Sequence, residues 1–335
     1  MYFYLSEINL LNLSILISRR LISAKKKAFS SFIMRISIIA TTISVAAMIV
    51  SMSFINGFQK VIAEKIFGFW GHIRVQHYEP VKSNIAEESP MVRIDNAEFM
   101  MKVTPNVKSV STFATKSAIL NANGTIEGVL LKGISKEYPF KDLNRFLTKG
   151  TWPVFKDSGY AEEIVLSEYT ANQLGTGIGK SLLIYFIQSD GSPPRTRKLS
   201  VSGLYKTGID VYDKIYAIGD IRLIQRLNGW AANEVGGYEI VLNDPIKMEN
   251  TAIGIYDNLP SGWNALTLKE LSPEIFDWLN LQNTNKYILL SVMTIVALIN
   301  LITCLIILLL ERTGMIALLK ALGARDLQIQ TTFIA

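Results

Sequence analysis

A glycine-rich stretch, GTGIGKS at residues 175–181, invites a nucleotide-binding interpretation, because loops of this kind cradle phosphate groups. A phosphate loop requires a glycine separated by four residues from its Gly-Lys pair, and Leu174 stands at that position. The apolar pattern also predicts a helix before the stretch and a strand after it, which reverses the order that the motif requires. We therefore expect no nucleotide site here.

Metal-binding and nucleophilic chemistry also lack the residues that they need. His72 and His77 lie five positions apart on a predicted strand, so their side chains face opposite sides of it. The only cysteine, Cys304, falls within a long apolar run, which excludes a disulfide framework and a cysteine-based metal site. Neither Gly-x-Ser-x-Gly nor His-Glu-x-x-His occurs. We therefore predict no catalytic residue, no metal and no cofactor.

The loop QSDGSPPRTRK at residues 188–198 is the most polar of the predicted exposed segments. Pro193 and Pro194 stiffen it, and Arg195 and Arg197 give it positive charge. Composition alone fits a solvated hairpin tip.

Two apolar runs, at residues 36–55 and 287–310, are long enough to cross a membrane, since a bilayer core requires about 20 apolar helical residues. Basic residues are concentrated before the first run, so the positive-inside rule places the N-terminus in the cytoplasm. The formal charge of +6 is a modest positive balance and does not imply nucleic-acid binding.

The predicted organisation has a soluble domain between the two membrane helices. Its parts are a cytoplasmic or interfacial elbow helix at 1–35, a membrane helix at 36–56, an extracytoplasmic domain at 57–284, a second membrane helix at 285–310, a cytoplasmic helix at 311–326 and the start of a third membrane helix at 327–335. We interpret that last part as the beginning of a C-terminally truncated segment.

The residues after the second apolar run are predicted to form a short amphipathic helix. Glu311 and Arg312 end the run, Thr313 is the predicted N-cap, and Gly323 is the predicted stop. Four apolar side chains share one face by their spacing: Met315, Leu318, Leu319 and Leu322. A lipid surface and a protein groove both suit such a stripe, so amphipathicity alone leaves both open.

The extracytoplasmic domain is predicted to be α+β, because strand and helix patterns alternate with local hairpins. Its length of roughly 230 residues exceeds that of one typical domain, which predicts two lobes. Asn123-Gly124 is a strong hairpin signal. Strands are predicted at 72–77, 111–120, 126–134, 181–187, 199–205 and 238–242, helices at 95–102, 220–227 and 245–258, a strand passing into a helix at 164–174, and helical stalks at 57–69 and 269–285.

Two segments resemble a known class of membrane protein. One carries an acidic–basic pair and a Lys-Ala-Leu-Gly-Ala core, at Glu311, Arg312, Ile316, Leu319, Lys320, Ala321, Leu322, Gly323 and Ala324. The other carries a strand, a turn and a helix, at Gly203, Thr207, Gly208, Tyr212, Asp213 and Leu227. In both, the chain resembles the MacB/FtsX/LolC–LolE class of ABC transporter permeases, and most closely its lipoprotein-releasing LolC/LolE branch. The acidic residue usual before the apolar pair is replaced here by Gly314-Met315.

The resemblance implies a MacB-like periplasmic core in a multi-pass protein of the bacterial inner membrane. It implies that a separate ATPase subunit hydrolyses ATP and binds residues 311–326, the coupling segment, through Met315, Leu318, Leu319 and Leu322. The other implied partners are a second permease copy or paralogue, a lipoprotein substrate, a periplasmic carrier and membrane lipid. In that branch, the place of the 188–198 loop is taken by a hairpin that docks the carrier, with an aromatic and methionine-bearing tip that this loop lacks.

Two other interpretations remain open from the sequence. A related permease of the same class would export macrolides or peptides, or regulate cell-wall hydrolases. A two-helix membrane receptor would also place a sensor domain between its membrane helices, although no heptad-patterned helix follows Arg325. The small residues of the first apolar run border either a lipid cavity or another helix; they are Ala40, Thr41, Ser44, Ala47 and Ser51.

Overall fold

The structure, a computed structural model, describes residues 29–79, 87–188, 193–326 and 329–330. The elbow helix predicted before residue 29 lies outside these residues, as does nearly all of the predicted segment 327–335. The helices are α1 (Phe29–Trp70), α2 (Asp95–Val103), α3 (Phe140–Leu143), α4 (Glu168–Gln173), α5 (Asp210–Ile215), α6 (Ile221–Asn228), α7 (Met248–Tyr256), α8 (Leu268–Leu271) and α9 (Pro273–Ala321), with a 3-10 turn at Pro245–Lys247.

The strands form one large mixed sheet and one small one. They are β1 (Ile73–His77), β2 (Met91–Val92), β3 (Val107–Ala122), β4 (Thr125–Ile134), β5 (Leu147–Gly150), β6 (Glu163–Ser167), β7 (Ser181–Phe186), β8 (Arg195–Tyr205), β9 (Tyr216–Asp220), β10 (Glu234–Val235), β11 (Gly237–Leu242) and β12 (Trp263–Thr267). The large sheet has the order β12-β1-β11-β3-β4-β9-β6-β8-β5, with β7 pairing β3 and β8, while β10 pairs β2. Parallel pairs occur at β4–β9 and β6–β8.

The chain divides into two compact units, one of residues 58–280 and one of the flanking residues. Within the described residues, two helices are long and apolar enough to cross a membrane, Arg35–Trp70 and Pro273–Ile307. Both extend beyond the apolar runs seen in the sequence, as the predicted stalks require. The second begins at Pro273, a residue that suits the first helical position because its missing amide would have no partner there.

In the flanking unit, α1 and α9 contact each other along a seam with alternating spacings of three and four residues. The half-buried positions are Ser37, Thr41, Ser44, Met48, Ser51 and Ile55 on α1, and Lys286, Leu290, Met293, Ala297, Asn300, Cys304 and Ile307 on α9. This spacing is that of helices packed knobs into holes. Asn300 Nδ2 donates to Thr41 Oγ1 at 3.1 Å. Thr41, Ser44 and Ser51 therefore serve helix packing, whereas Ala40 and Ala47 are exposed.

The predicted separate helix at 311–326 is wrong in one respect, because α9 continues without a break from Pro273 to Ala321. Charged residues end an apolar run but favour helix, so Glu311 and Arg312 do not interrupt the backbone. Thr313 is not an N-cap, and its hydroxyl donates to the Leu310 carbonyl inside the helix. The predicted stop is confirmed: Gly323 has φ +90°, and the Ala324 amide donates to the Leu319 carbonyl in a Schellman motif.

The α/β unit confirms most of the predicted elements. Asn123 and Gly124 both have positive φ, 53° and 81°, as the tight turn between β3 and β4 requires. The transition from strand to helix at 164–174 appears as β6 followed by α4. The sequence did not predict the strands β2, β5, β9, β10 and β12.

Two clusters of buried apolar side chains stabilise this unit. The sequence predicted two lobes from the length of the domain. One cluster, which includes Ile73, Leu120 and Ile240, is the larger. The other surrounds the end of α1 and includes Phe69, Trp70 and Phe113. A single sheet contributes side chains to both clusters.

Candidate functional site

The coupling segment presents only part of its predicted apolar face. Leu318 and Leu322 are 61% and 76% exposed, one helical turn apart. Met315 and Leu319 are half-buried. Lys320 forms an exposed ion pair with Asp326, with Nζ 3.1 Å from Oδ1. The side chains of Glu311 and Arg312 lie outside the described residues.

The predicted docking loop is shorter than the sequence indicated, because β8 begins at Arg195. Arg195 pairs with Phe186 across the β7–β8 hairpin, so both predicted arginines belong to the strand rather than the tip. The Arg195 guanidinium donates to the Leu227 carbonyl in the last turn of α6, at 2.7 Å, which gives it a structural role. Of the predicted docking residues, Pro193 and Pro194 lie outside the strand and are exposed.

The GTGIGKS stretch is a turn between α4 and β7, in the order that the sequence predicted. The amides of Gly175, Thr176 and Gly179 donate to backbone carbonyls, to those of Asn172, Ala171 and Val201. These amides are therefore engaged in the turn and do not form a phosphate cradle.

The two histidines differ in burial and in their hydrogen bonds. His72 is buried, stacks on Phe67, and accepts a hydrogen bond at Nδ1 from the Leu242 amide at 3.1 Å. Burial lowers the pKa of His72 to about 4. His77 is half-buried, with Nδ1 3.2 Å from the Gly262 carbonyl. Among the described residues, no group of three or more His, Cys, Asp or Glu side chains could hold a metal ion.

The Thr-Gly and Tyr-Asp motif that carried part of the resemblance is a structural turn. The Asp213 carboxylate accepts from the Thr207 amide at 2.9 Å and from its hydroxyl at 2.8 Å. It also accepts from the Gly208 amide at 3.0 Å. These bonds fix the approach to α5, and they explain why the motif needs a carboxylate at that spacing.

The first junction, residues 66–75, joins α1 to β1 through Gly71 and His72. Gly71 has φ +73°, and a Cβ there would lie 2.9 Å from the Ile240 carbonyl oxygen, so the position requires glycine. Phe69 and Trp70 are buried against the sheet. The long helix therefore enters the sheet with almost no intervening loop.

A buried cation lies at this junction. Lys132 and Glu239, each 1% exposed in their side chains, form an ion pair with Nζ 2.8 Å from Oε1. Lys132 Nζ also donates to the Phe69 carbonyl at 2.6 Å, and Tyr138 donates its hydroxyl proton to Glu239 at 2.8 Å. Burial lowers the pKa of Lys132 to about 8, and the Glu239 carboxylate opposes that change.

The sequence did not predict this cluster, although it contains charged residues within otherwise apolar strands. Lys132, Glu239 and Arg74 each interrupt a strand whose neighbouring residues are apolar. Charged side chains in buried strands require a partner. The strand register places Arg74 opposite Glu239 and Lys132 opposite Thr115, so the ion pair between Lys132 and Glu239 follows only from side-chain packing across β3.

The second junction, residues 263–276, joins β12 to α9 through the short helix α8. Thr267 and Glu270 form a capping box, in which the Thr267 amide donates to the Glu270 carboxylate at 2.7 Å. Phe276 is half-buried. A groove of about 700 Å³ opens beside this junction, lined in part by Tyr256, Trp263 and Phe276.

Three known proteins illustrate what this chain is similar to. The lipoprotein-releasing system transmembrane protein LolE of Haemophilus influenzae is 23% identical over 92% of this chain and 74% of its own length. LolC of Neisseria meningitidis serogroup B is 26% identical over 94% of this chain and 75% of its own length. The periplasmic region of MacB from Actinobacillus actinomycetemcomitans aligns in structure over 61% of this chain and 91% of its own, with 12% identity and a TM-score of 0.41.

The profile of the MacB-like periplasmic core domain matches residues 35–252, well over half of the chain. This match covers α1 from Arg35 onward and the α/β unit as far as Ala252 in α7. The expected resemblance is thereby confirmed, and the chain belongs to the family of the MacB-like periplasmic core domain, within the MacB/LolC–LolE class.

Proposed function

We propose that this chain is a permease subunit of an ABC transporter that releases lipoproteins from the inner membrane to a periplasmic carrier. The observation that carries the proposal is the match of almost the whole chain, 92–94%, to proteins named for lipoprotein release. In this proposal a separate ATPase subunit hydrolyses ATP, and a second permease, identical or paralogous, completes the membrane part.

The architecture supports a permease over a two-helix receptor. Two helices of membrane length flank an α/β unit, and the family of that unit is the MacB-like periplasmic core. Basic residues concentrated before the first apolar run favour a cytoplasmic N-terminus. The α/β unit would then lie in the periplasm, and the coupling segment in the cytoplasm.

The coupling segment supplies the proposed contact with the ATPase. Leu318 and Leu322 are exposed at i and i+4, the spacing with which a helix inserts apolar anchors into a groove. Met315 and Leu319 are less accessible and support the helix rather than form the centre of the contact. The proposed carrier contact lies at the tip of the β7–β8 hairpin, beside Pro193 and Pro194.

Reconstitution tests the proposal. The chain is placed in proteoliposomes with its ATPase, the second permease and an acylated lipoprotein, and ATP-dependent transfer to soluble carrier is measured. Replacing Leu318 and Leu322 with Asp should lower transfer by at least about tenfold, since central apolar anchors dominate such interfaces. Ile246→Asp is the matched control, because Ile246 is 93% exposed in the α/β unit.

Three outcomes separate the parts of the proposal. Full transfer by the Leu318→Asp/Leu322→Asp variant would contradict the coupling assignment. ATP hydrolysis without transfer of any lipoprotein by the wild-type complex would contradict the cargo. Unchanged transfer after Pro193 and Pro194 are both replaced with Gly would contradict the carrier contact.

A further inference from the structure

The last turn of α1 has a partner that helix ends seldom have. The final carbonyls of a helix have no N–H donor within the helix and usually accept from water or from a capping group. Here the Phe69 carbonyl accepts from Lys132 Nζ at 2.6 Å, although the two residues lie far apart in the chain. A cation at this end also interacts favourably with the helix dipole.

The same ammonium group is held on its other sides by the sheet and by aromatic rings. Glu239 on β11 forms the ion pair, and Lys132 itself belongs to β4. The ring of Trp70 lies 4.0 Å from Nζ and that of Phe69 lies 5.0 Å away, both close enough for cation–π attraction. One side chain therefore connects α1 with two strands of the sheet.

We propose that Lys132 is a positioning residue that fixes the end of α1 to the sheet, so that movement of α1 is transmitted to the α/β unit instead of being lost at the first junction. This inference rests on the proposed function, and it adds to that function that movement of the long helices reaches the α/β unit. Because burying both charges removes them from water, the ion pair adds little net stability, and its contribution is the orientation of the end of α1 on the sheet.

Substitution of Lys132 by Met keeps most of the buried volume of the side chain and removes its charge and its hydrogen bonds. Met fills a similar apolar volume but donates no hydrogen bond, so the Phe69 carbonyl and the Glu239 carboxylate both lose their partner. Lys116→Met is the matched control. Lys116 is also buried and paired, with Nζ 2.7 Å from Glu87 Oε2, but it lies on β3 and contacts Glu87 rather than α1.

The attachment of α1 to the sheet is measured by the distance between two spin labels, one at Val61 on α1 and one at Ile126 on β4. Both positions are exposed. The labels are placed in the chain with Cys304 replaced by Ser. We expect a narrow distance distribution in this parent chain and in Lys116→Met, and a broad one in Lys132→Met. In the reconstituted system, we expect lipoprotein released per ATP hydrolysed to fall about fivefold in Lys132→Met and to be unchanged in Lys116→Met.

A distribution in Lys132→Met as narrow as in Lys116→Met, or equal release per ATP, would overturn the proposal. If Lys132→Met does not fold, the variant Lys132→Met/Glu239→Met removes both charges of the ion pair together and should fold, still with a broad distribution. A narrow distribution in that double variant would also overturn it. If the wild-type complex releases no lipoprotein but Lys132→Met broadens the distance distribution, the result supports the positioning role of Lys132 and contradicts the proposed cargo.

Discussion

The two junctions of the α/β unit each attach a long helix to the sheet, but they use different kinds of contact. At the first, α1 reaches β1 through two residues, and its last turn is buried against aromatic rings and a paired lysine. At the second, β12 reaches α9 through a four-residue helix, a capping box and a half-buried phenylalanine. The first depends on contacts distant in the chain, whereas the second depends on contacts within a few residues.

This difference indicates different mechanical roles. Long-range contacts with full burial resist displacement in every direction, because moving the helix would expose apolar surface and an ion pair. Local caps fix only the direction of a helix end. We therefore expect the first junction to be the stiffer of the two, and four experiments test that comparison.

The largest effect should come from removing an aromatic ring at each junction. Phe69 is fully buried, so Phe69→Ala should lower the free energy of unfolding by about 3–5 kcal/mol. Phe276 is half-buried, and Phe276→Ala should cost roughly half as much. Thermal unfolding of the full chain in nanodiscs measures both. Equal losses of stability would contradict the difference in burial between the junctions.

Acid should weaken the first junction selectively. Burial lowers the pKa of His72 to about 4, from 6.5 in an unfolded chain, and nearby Lys108 acts in the same direction while Asp142 opposes it. Between these pH values the unfolded chain binds more protons, so the free energy of unfolding falls as pH falls from 6.5 to 4, by roughly 3 kcal/mol. Denaturation at several pH values measures this.

His72→Gln keeps an acceptor for the Leu242 amide and should remove that part of the pH dependence. His77→Gln is the matched control, because it removes the other histidine of the chain, at the end of β1. An identical pH profile for His72→Gln and wild type would show that His72 does not carry the effect.

The glycine at the first junction should be more sensitive than one with a similar backbone elsewhere. Gly71→Ala combines a positive φ with a contact to the Ile240 carbonyl, and should cost roughly 2 kcal/mol. Gly229 has φ +68° with open space around it, so Gly229→Ala should cost about 1 kcal/mol. Chemical denaturation measures both, and a larger cost at Gly229 would contradict the close approach at Gly71.

The smallest effect should come from the cap at the second junction. Thr267→Ala removes the side-chain acceptor for the Glu270 amide and should cost about 1 kcal/mol. Thr125, exposed at the start of β4, is the control, and Thr125→Ala should be nearly neutral. A loss as large as that of Phe69→Ala would show that the second junction is no more compliant than the first.

Local features of this fold were predictable from the sequence, and distant ones were not. The Asn123-Gly124 turn, the stalk continuing α1 and the stop at Gly323 each depend on a few adjacent residues. All five residues of β9 are buried, so this strand lacks the alternation of buried and exposed positions that would distinguish it from a loop. The sequence predicted a break in α9 because Glu311 and Arg312 end the apolar run. The helix continues through them, since a change from apolar to charged side chains does not interrupt the helical backbone.

The candidate sites follow the same division. The apolar face of the coupling segment could be recognised from spacing, but spacing does not show that Met315 and Leu319 are half-buried. The role of Arg195 depends on α6, and that of Lys132 depends on β11 and α1. Such roles arise from strand register and packing between distant segments, which single-residue patterns do not encode.

The pairing of β1 with β12 has a consequence for how the long helices can move. These strands are antiparallel neighbours at one edge of the sheet, matched over five residue pairs from Ile73–Thr267 to His77–Trp263. If one helix were pulled alone, its strand would have to slide along the other and break that ladder. The ends of the two long helices nearest the sheet are therefore joined through hydrogen bonds of one shared sheet edge.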